Sequence, residues 1–75
     1  MKELALYIAR QIVDHPEQAE VISSEDQGVV RLMLRVAEDD KGKVIGKQGK
    51  VIKAIRAVVG VAAAKSGCTV VVDVE

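Results

Sequence analysis

The sequence predicts an α+β fold in which a three-stranded mixed sheet is covered on one face by three helices. Apolar residues recur at helical spacing near the N-terminus and again beyond residue 50. Between them, residues 29–36 (VVRLMLRV) alternate with the period of a half-buried strand. Glycine, proline and short polar runs fall at the changes of pattern, and 75 residues cannot build a second core, so one domain spanning 1–75 is expected.

Leu4, Ala5, Ile8 and Ile12 repeat at helical spacing, which predicts a helix over 2–13, and Pro16 stops it in the connection DHPEQA. EVISSE (20–25) reads as a strand and DQG (26–28) as a turn. In the next strand Val30, Leu32, Leu34 and Val36 share one face, with Arg31, Met33 and Arg35 on the wet one. So short a turn pairs these two strands antiparallel. Asp39 or Asp40 is placed to cap a short helix, KGKVI (41–45). Gly46 and Gly49 interrupt the pattern, a longer helix runs from 50 to about 65, and Gly67 ends it before a last strand over 68–74. The helical pair is a connection long enough for a right-handed parallel crossover. Cys68, the only cysteine, opens that strand and is expected as a buried small hydrophobe.

Net charge is zero, yet the charges are segregated. Residues 1–40 carry four basic and nine acidic side chains, 41–65 seven basic and no acidic, and 66–75 two acidic, for balances of −5, +7 and −2. Salt screens beyond about 10 Å, so the positive segment can act on a nearby phosphate backbone although the whole molecule is neutral. No stretch has the roughly 18 apolar residues of a membrane span and the N-terminus lacks a secretory signal, so a soluble cytoplasmic protein without a membrane partner is expected. Single His15 has no second ligand at metal spacing, and the serines and acids converge on no nucleophile–base constellation. No metal, cofactor or enzymatic activity is expected.

Chemistry concentrates in residues 42–56, GKVIGKQGKVIKAIR, which hold three glycines, five cations and no acid. Glycine allows unusual dihedrals and close approach to its backbone, and a loop opening a helix exposes unsatisfied N–H groups that attract anions. Lys47 and Lys50 add charge beside them. The stretch lacks the glycine series and acidic ribose partner of a dinucleotide site and the G-K-S/T ending of a nucleotide triphosphatase loop. Val44, Ile45, Val51, Ile52 and Ile55 are expected to anchor the helix ends, leaving Lys43, Lys47, Lys50, Lys53 and Arg56 toward solvent.

VIGKQGKVIKAI resembles the V-I-G-x-x-G-x-x-I signature of KH domains, and the element order α-β-β-α-α-β resembles their type II, bacterial form. The whole chain is similar to the small stand-alone bacterial KH proteins of the KhpA (YlqC) family. The resemblance implies single-stranded RNA as partner, clamped by the glycine loop over about four nucleotides. It makes Gly46 and Gly49 the loop ends, Lys47 and Gln48 the variable pair and Ile45 and Ile52 the apolar flanks, and puts Val36 in the central strand beside the groove. It also implies a low-specificity RNA chaperone or post-transcriptional regulator that self-associates and pairs with a Jag-like (KhpB) RNA-binding protein. Apart from the resemblance, the long helix is apolar over more than the roughly 100° stripe that one sheet needs. Ala54, Ala57 and Val61 are therefore expected at a homodimer interface, and the alternative function is a dimerisation or interaction module with little RNA affinity.

Overall fold

The computed structural model describes residues 1–75. Helix α1 (Lys2–Ile12) leads through a single 3-10 turn to strands β1 (Glu20–Asp26) and β2 (Val29–Arg35). After a second 3-10 turn come α2 (Lys41–Ile45), the glycine loop, α3 (Lys50–Lys65) and β3 (Thr69–Val74). The sheet order is β1-β2-β3: β1 pairs antiparallel with β2 from Asp26–Val29 to Glu20–Arg35, and β3 pairs parallel with β2 from Val29–Thr69 to Leu34–Val74. The α+β fold, mixed sheet and αββααβ order match the sequence expectation.

Gln27 and Gly28, at φ 52° and 81°, turn the β1–β2 hairpin. Two consecutive positive φ values suit the right-handed twist of a two-residue hairpin loop. At the end of α3, Cys68 N–H donates to Ala63 O (2.9 Å) and Gly67 N–H to Ala64 O (3.1 Å), with Gly67 left-handed at φ 73°. This is a Schellman closure, and it holds Cys68 outside β3. The thiol is exposed, contrary to the expectation of a buried residue.

One apolar core lies between the helices and the covered sheet face, with Leu32, Leu34, Val44, Ile55, Val59 and Val72 all at 2% exposure or less. On α1 the buried line is Ala5 and Ala9, while Leu4, Ile8 and Ile12 are half-buried flanks. The buried line is rotated from the centre of the predicted apolar stripe: the two small alanines face the core, and Leu4, Ile8 and Ile12 lie together along one side of them. Neither Asp39 nor Asp40 caps α2. Asp40 is instead buried (1% exposed) and its carboxylate accepts the N–H groups of Asp14 and His15, both at 3.0 Å. Val36 lies just past the end of β2, not within it. The uncovered sheet face carries Ile22, Met33 and Val71 at about one-third to one-half exposure, beside Arg35, which pairs with Glu20 and Glu75.

Candidate nucleic-acid interface

The loop between α2 and α3 takes its shape from its two end glycines. Gly46 stands at φ 78°, ψ 171°, a region essentially reserved for glycine. A Cβ added there would lie 2.8 Å from the backbone nitrogen of Val51, so the turn back into α3 packs directly against the bare α-carbon. Gly49 is left-handed (φ 74°, ψ 16°), and its neighbour Gln48 adopts the same region (φ 58°, ψ 26°). The loop's own bonds run from Gly46 N–H to Gly42 O (2.8 Å) and from Gly49 N–H to Gly46 O (3.1 Å), and neither uses the N–H of Lys47 or Gln48. Those donors sit at the tip with exposed side chains, an arrangement that can donate to an anionic oxygen.

The five predicted cations divide into two groups. Lys47, Lys50 and Lys53 are exposed and enter no ion pair, and a Cβ built on Gly49 would lie 3.9 Å from Lys53 Cε, so that lysine stem runs back over the loop. Lys43 instead binds Asp14 at the end of α1. That hydrogen bond holds the Asp14 carboxyl below the ordinary carboxylate range and raises the lysine above its usual value. Arg56 is also engaged: its Nε–H donates to Val72 O (2.8 Å) and Nη2 to Asp73 Oδ1 (2.9 Å). Both side chains lie on the solvent side, as the sequence implied, and each is held there by an acid from elsewhere in the fold. The acids responsible lie 29 and 17 residues away in sequence, which a count of local charge does not register.

Of the apolar flanks, Ile45 is 41% exposed beside the loop, whereas Ile52, at 6%, belongs to the core. Ile52 therefore anchors α3 under the loop, and Ile45 is the flank open to a ligand. The sheet edge beside this helix is β3, against which α3 packs and to which Arg56 is bound. Val36, just past β2, lines a small depression with Arg35, Glu38, Lys41 and Glu75. Val70, Val72 and Val74, alternate residues of β3, face the helices, with Val72 in the core.

On the far side of α3 the buried stripe is Ile52, Ile55, Val59 and Ala63. Ala54, Ala57 and Val61 are exposed as the helical spacing implied, and Val58, at 51%, joins them. Between α1 and α3 runs a wholly apolar depression of about 240 Å³ lined by Ile8, Ile12, Val51, Ala54, Ile55 and Val58.

A glycine loop joining two helices over a mixed sheet in αββααβ order defines a type II KH domain. The family described as "KhpA/KhpB, KH domain" matches residues 2–74, and the chain belongs to that family, whose members are binding modules rather than enzymes. It is 47% identical over 74 residues to the RNA-binding protein KhpA of Clostridium perfringens, covering 99% of each chain. The protein of the same description from Treponema pallidum is 45% identical over 62 residues, 83% of this chain and 78% of that one. Among solved structures, an Aquifex aeolicus Era variant bound to GDP.AlF4- shares the fold at a TM-score of 0.65 and 22% identity, over 99% of this chain and 30% of that one.

Proposed function

We propose that this protein binds single-stranded RNA weakly and with little sequence preference, the loop from Gly46 to Gly49 holding the backbone while bases lie toward β3. The carrying observation is the loop itself: a turn shaped by its end glycines whose tip N–H groups are unspent, beside three unpaired lysines. Family membership and relatives described as RNA-binding proteins support the reading. Tyr7, on α1, is the only aromatic residue, so the groove lacks aromatic stacking and affinity is modest. In this reading the protein is a cytoplasmic RNA chaperone or post-transcriptional regulator.

The test is an amide-shift titration with short RNA and DNA oligomers, repeated on a variant carrying Lys47→Asp and Gln48→Asp. Both side chains are exposed, so the variant keeps its fold. Shifts centred on the loop, the first turns of α3 and β3 in the wild type, lost in the variant, are expected. Three free lysines give a log–log salt slope of about −2, against about −3.5 if all five cations met phosphates. No binding at low salt, or undiminished binding by the variant, refutes the reading.

The exposed apolar strip on α3 favours a second, compatible property. The strip formed by Ala54, Ala57, Val58 and Val61 pairs two copies about a twofold axis, or one copy with a Jag-like (KhpB) partner. Two linked RNA sites then raise apparent affinity above that of either alone. If RNA binding fails its test, this association is the function that remains.

A further inference from the structure

We propose that Arg56 is the specificity-determining residue of the groove, reading a guanine at one nucleotide position through the free end of its guanidinium. The inference rests on the RNA-binding reading above and adds one base preference to an otherwise permissive site.

Arginine has five N–H donors in a rigid plane. Here Nε–H goes to Val72 O (2.8 Å) and one Nη2 hydrogen to Asp73 Oδ1 (2.9 Å), which uses the side-on edge of the group and fixes its plane against β3. The end-on edge, one hydrogen on Nη1 and one on Nη2, has no partner, and the side chain is 47% exposed. Two parallel donors form the fork that matches O6 and N7 of guanine. Adenine has a donor where guanine has O6, so the same fork is mismatched to it. A free arginine would search many rotamers, whereas this one is already ordered, so less entropy is lost on contact.

The position suits a base better than the loop-bound phosphate. Gly49, Lys53 and Arg56 follow one another at i, i+4 and i+7, a single line along α3. Seven residues of helix separate Gly49 from Arg56 by about 10 Å, within the span of about four nucleotides that a KH groove holds. A strand fixed at the loop and running along α3 therefore passes Arg56 on the β3 side, where the bases lie. Asp73 acts through Arg56 as a positioning residue, and its negative charge beside the fork disfavours a phosphate in the same place.

The experiment measures anisotropy of labelled hexanucleotides that carry one guanine scanned through a uridine background, against the same set with adenine and with 7-deazaguanine. Wild type is expected to prefer guanine about five- to tenfold at one position, the low end for a bidentate contact because the fork is half-exposed. 7-Deazaguanine, which lacks the N7 acceptor, should lose most of that preference without any change to the protein. Arg56→Lys keeps the charge and the salt slope and should lose the preference, as should Arg56→Gln. Asp73→Ala should weaken the preference while slightly tightening binding of oligouridine, because the released guanidinium is free to meet the backbone. Equal binding of guanine and adenine at every position, or a preference that survives Arg56→Gln, overturns the inference while RNA binding stands. Absence of binding to every oligomer overturns both.

Discussion

Replacing Gly46 by alanine should damage the protein far more than the same change at Gly49, although a sequence motif treats the two glycines as equals. At Gly49 the added methyl meets only Ile52 Cγ2 and Lys53 Cε, both at 3.9 Å. The cost there is the left-handed backbone, about 1–2 kcal/mol, part of which is offset by a less flexible unfolded chain. A net loss of about 1 kcal/mol follows. At Gly46 the backbone (φ 78°, ψ 171°) lies where alanine is strained by up to about 3 kcal/mol, and the new Cβ sits 2.8 Å from Val51 N. That neighbour is backbone at the entry to α3 and cannot swing aside, so the loop must move or α3 must unwind its first turn. The expected loss is about 3 kcal/mol or more.

A 75-residue domain is stable by about 4–11 kcal/mol, so Gly46→Ala remains measurable as a folded species at low denaturant. Urea titrations followed by far-UV circular dichroism should show midpoints in the order wild type, Gly49→Ala, Gly46→Ala, with a common slope. At concentrations where all three are folded, RNA affinity should follow the same order, because displacement of the loop carries the N–H groups of Lys47 and Gln48 away from the phosphate position. Equal losses at the two sites would refute the reasoning, since they would mean that Val51 does not pack against Gly46.

Val58→Arg and Val61→Arg should each halve the mass seen by light scattering at tens of micromolar while changing monomer stability by less than about 0.5 kcal/mol; an unaltered mass would remove α3 from the interface. Asp40→Ala should cost about 2–4 kcal/mol, since two N–H groups lose a buried carboxylate, and hydrogen exchange at Asp14 and His15 should accelerate selectively. The Asp14–Lys43 pair gives a pH signature. A lowered Asp14 pKa adds stability that is present above the unfolded value and lost as pH falls through the folded one; a raised Lys43 pKa adds stability that is lost only as pH rises through its folded value. The urea midpoint difference between wild type and Asp14→Asn should therefore be constant around neutrality and vanish in strong acid.

What could be read from the sequence was whatever depends on local periodicity. The six elements and their pairing follow from the alternation in residues 29–36, the helical spacing around α1 and α3, and glycines where φ turns positive. Asp40 could not be read in this way, because an acid before KGKVI looks like a helix cap. Its true partners are two N–H groups about 25 residues earlier, brought to it only when α1 docks. The same limit applies to charge. The acid-free segment was visible, but Asp14 and Asp73 reach Lys43 and Arg56 only through tertiary packing, and each removes one cation from the free set. Of the five cations in residues 42–56 three stay unpaired, and in the proposed reading Lys43 and Arg56 contribute less to phosphate binding while the Arg56 guanidinium gains a fixed orientation. An ordered donor with a free fork can discriminate between bases, as a mobile cation cannot. On the proposed RNA-binding reading, segregation of the charges along the chain sets where a polyanion lands, and the tertiary pairs of Lys43 and Arg56 decide which of its groups the protein distinguishes.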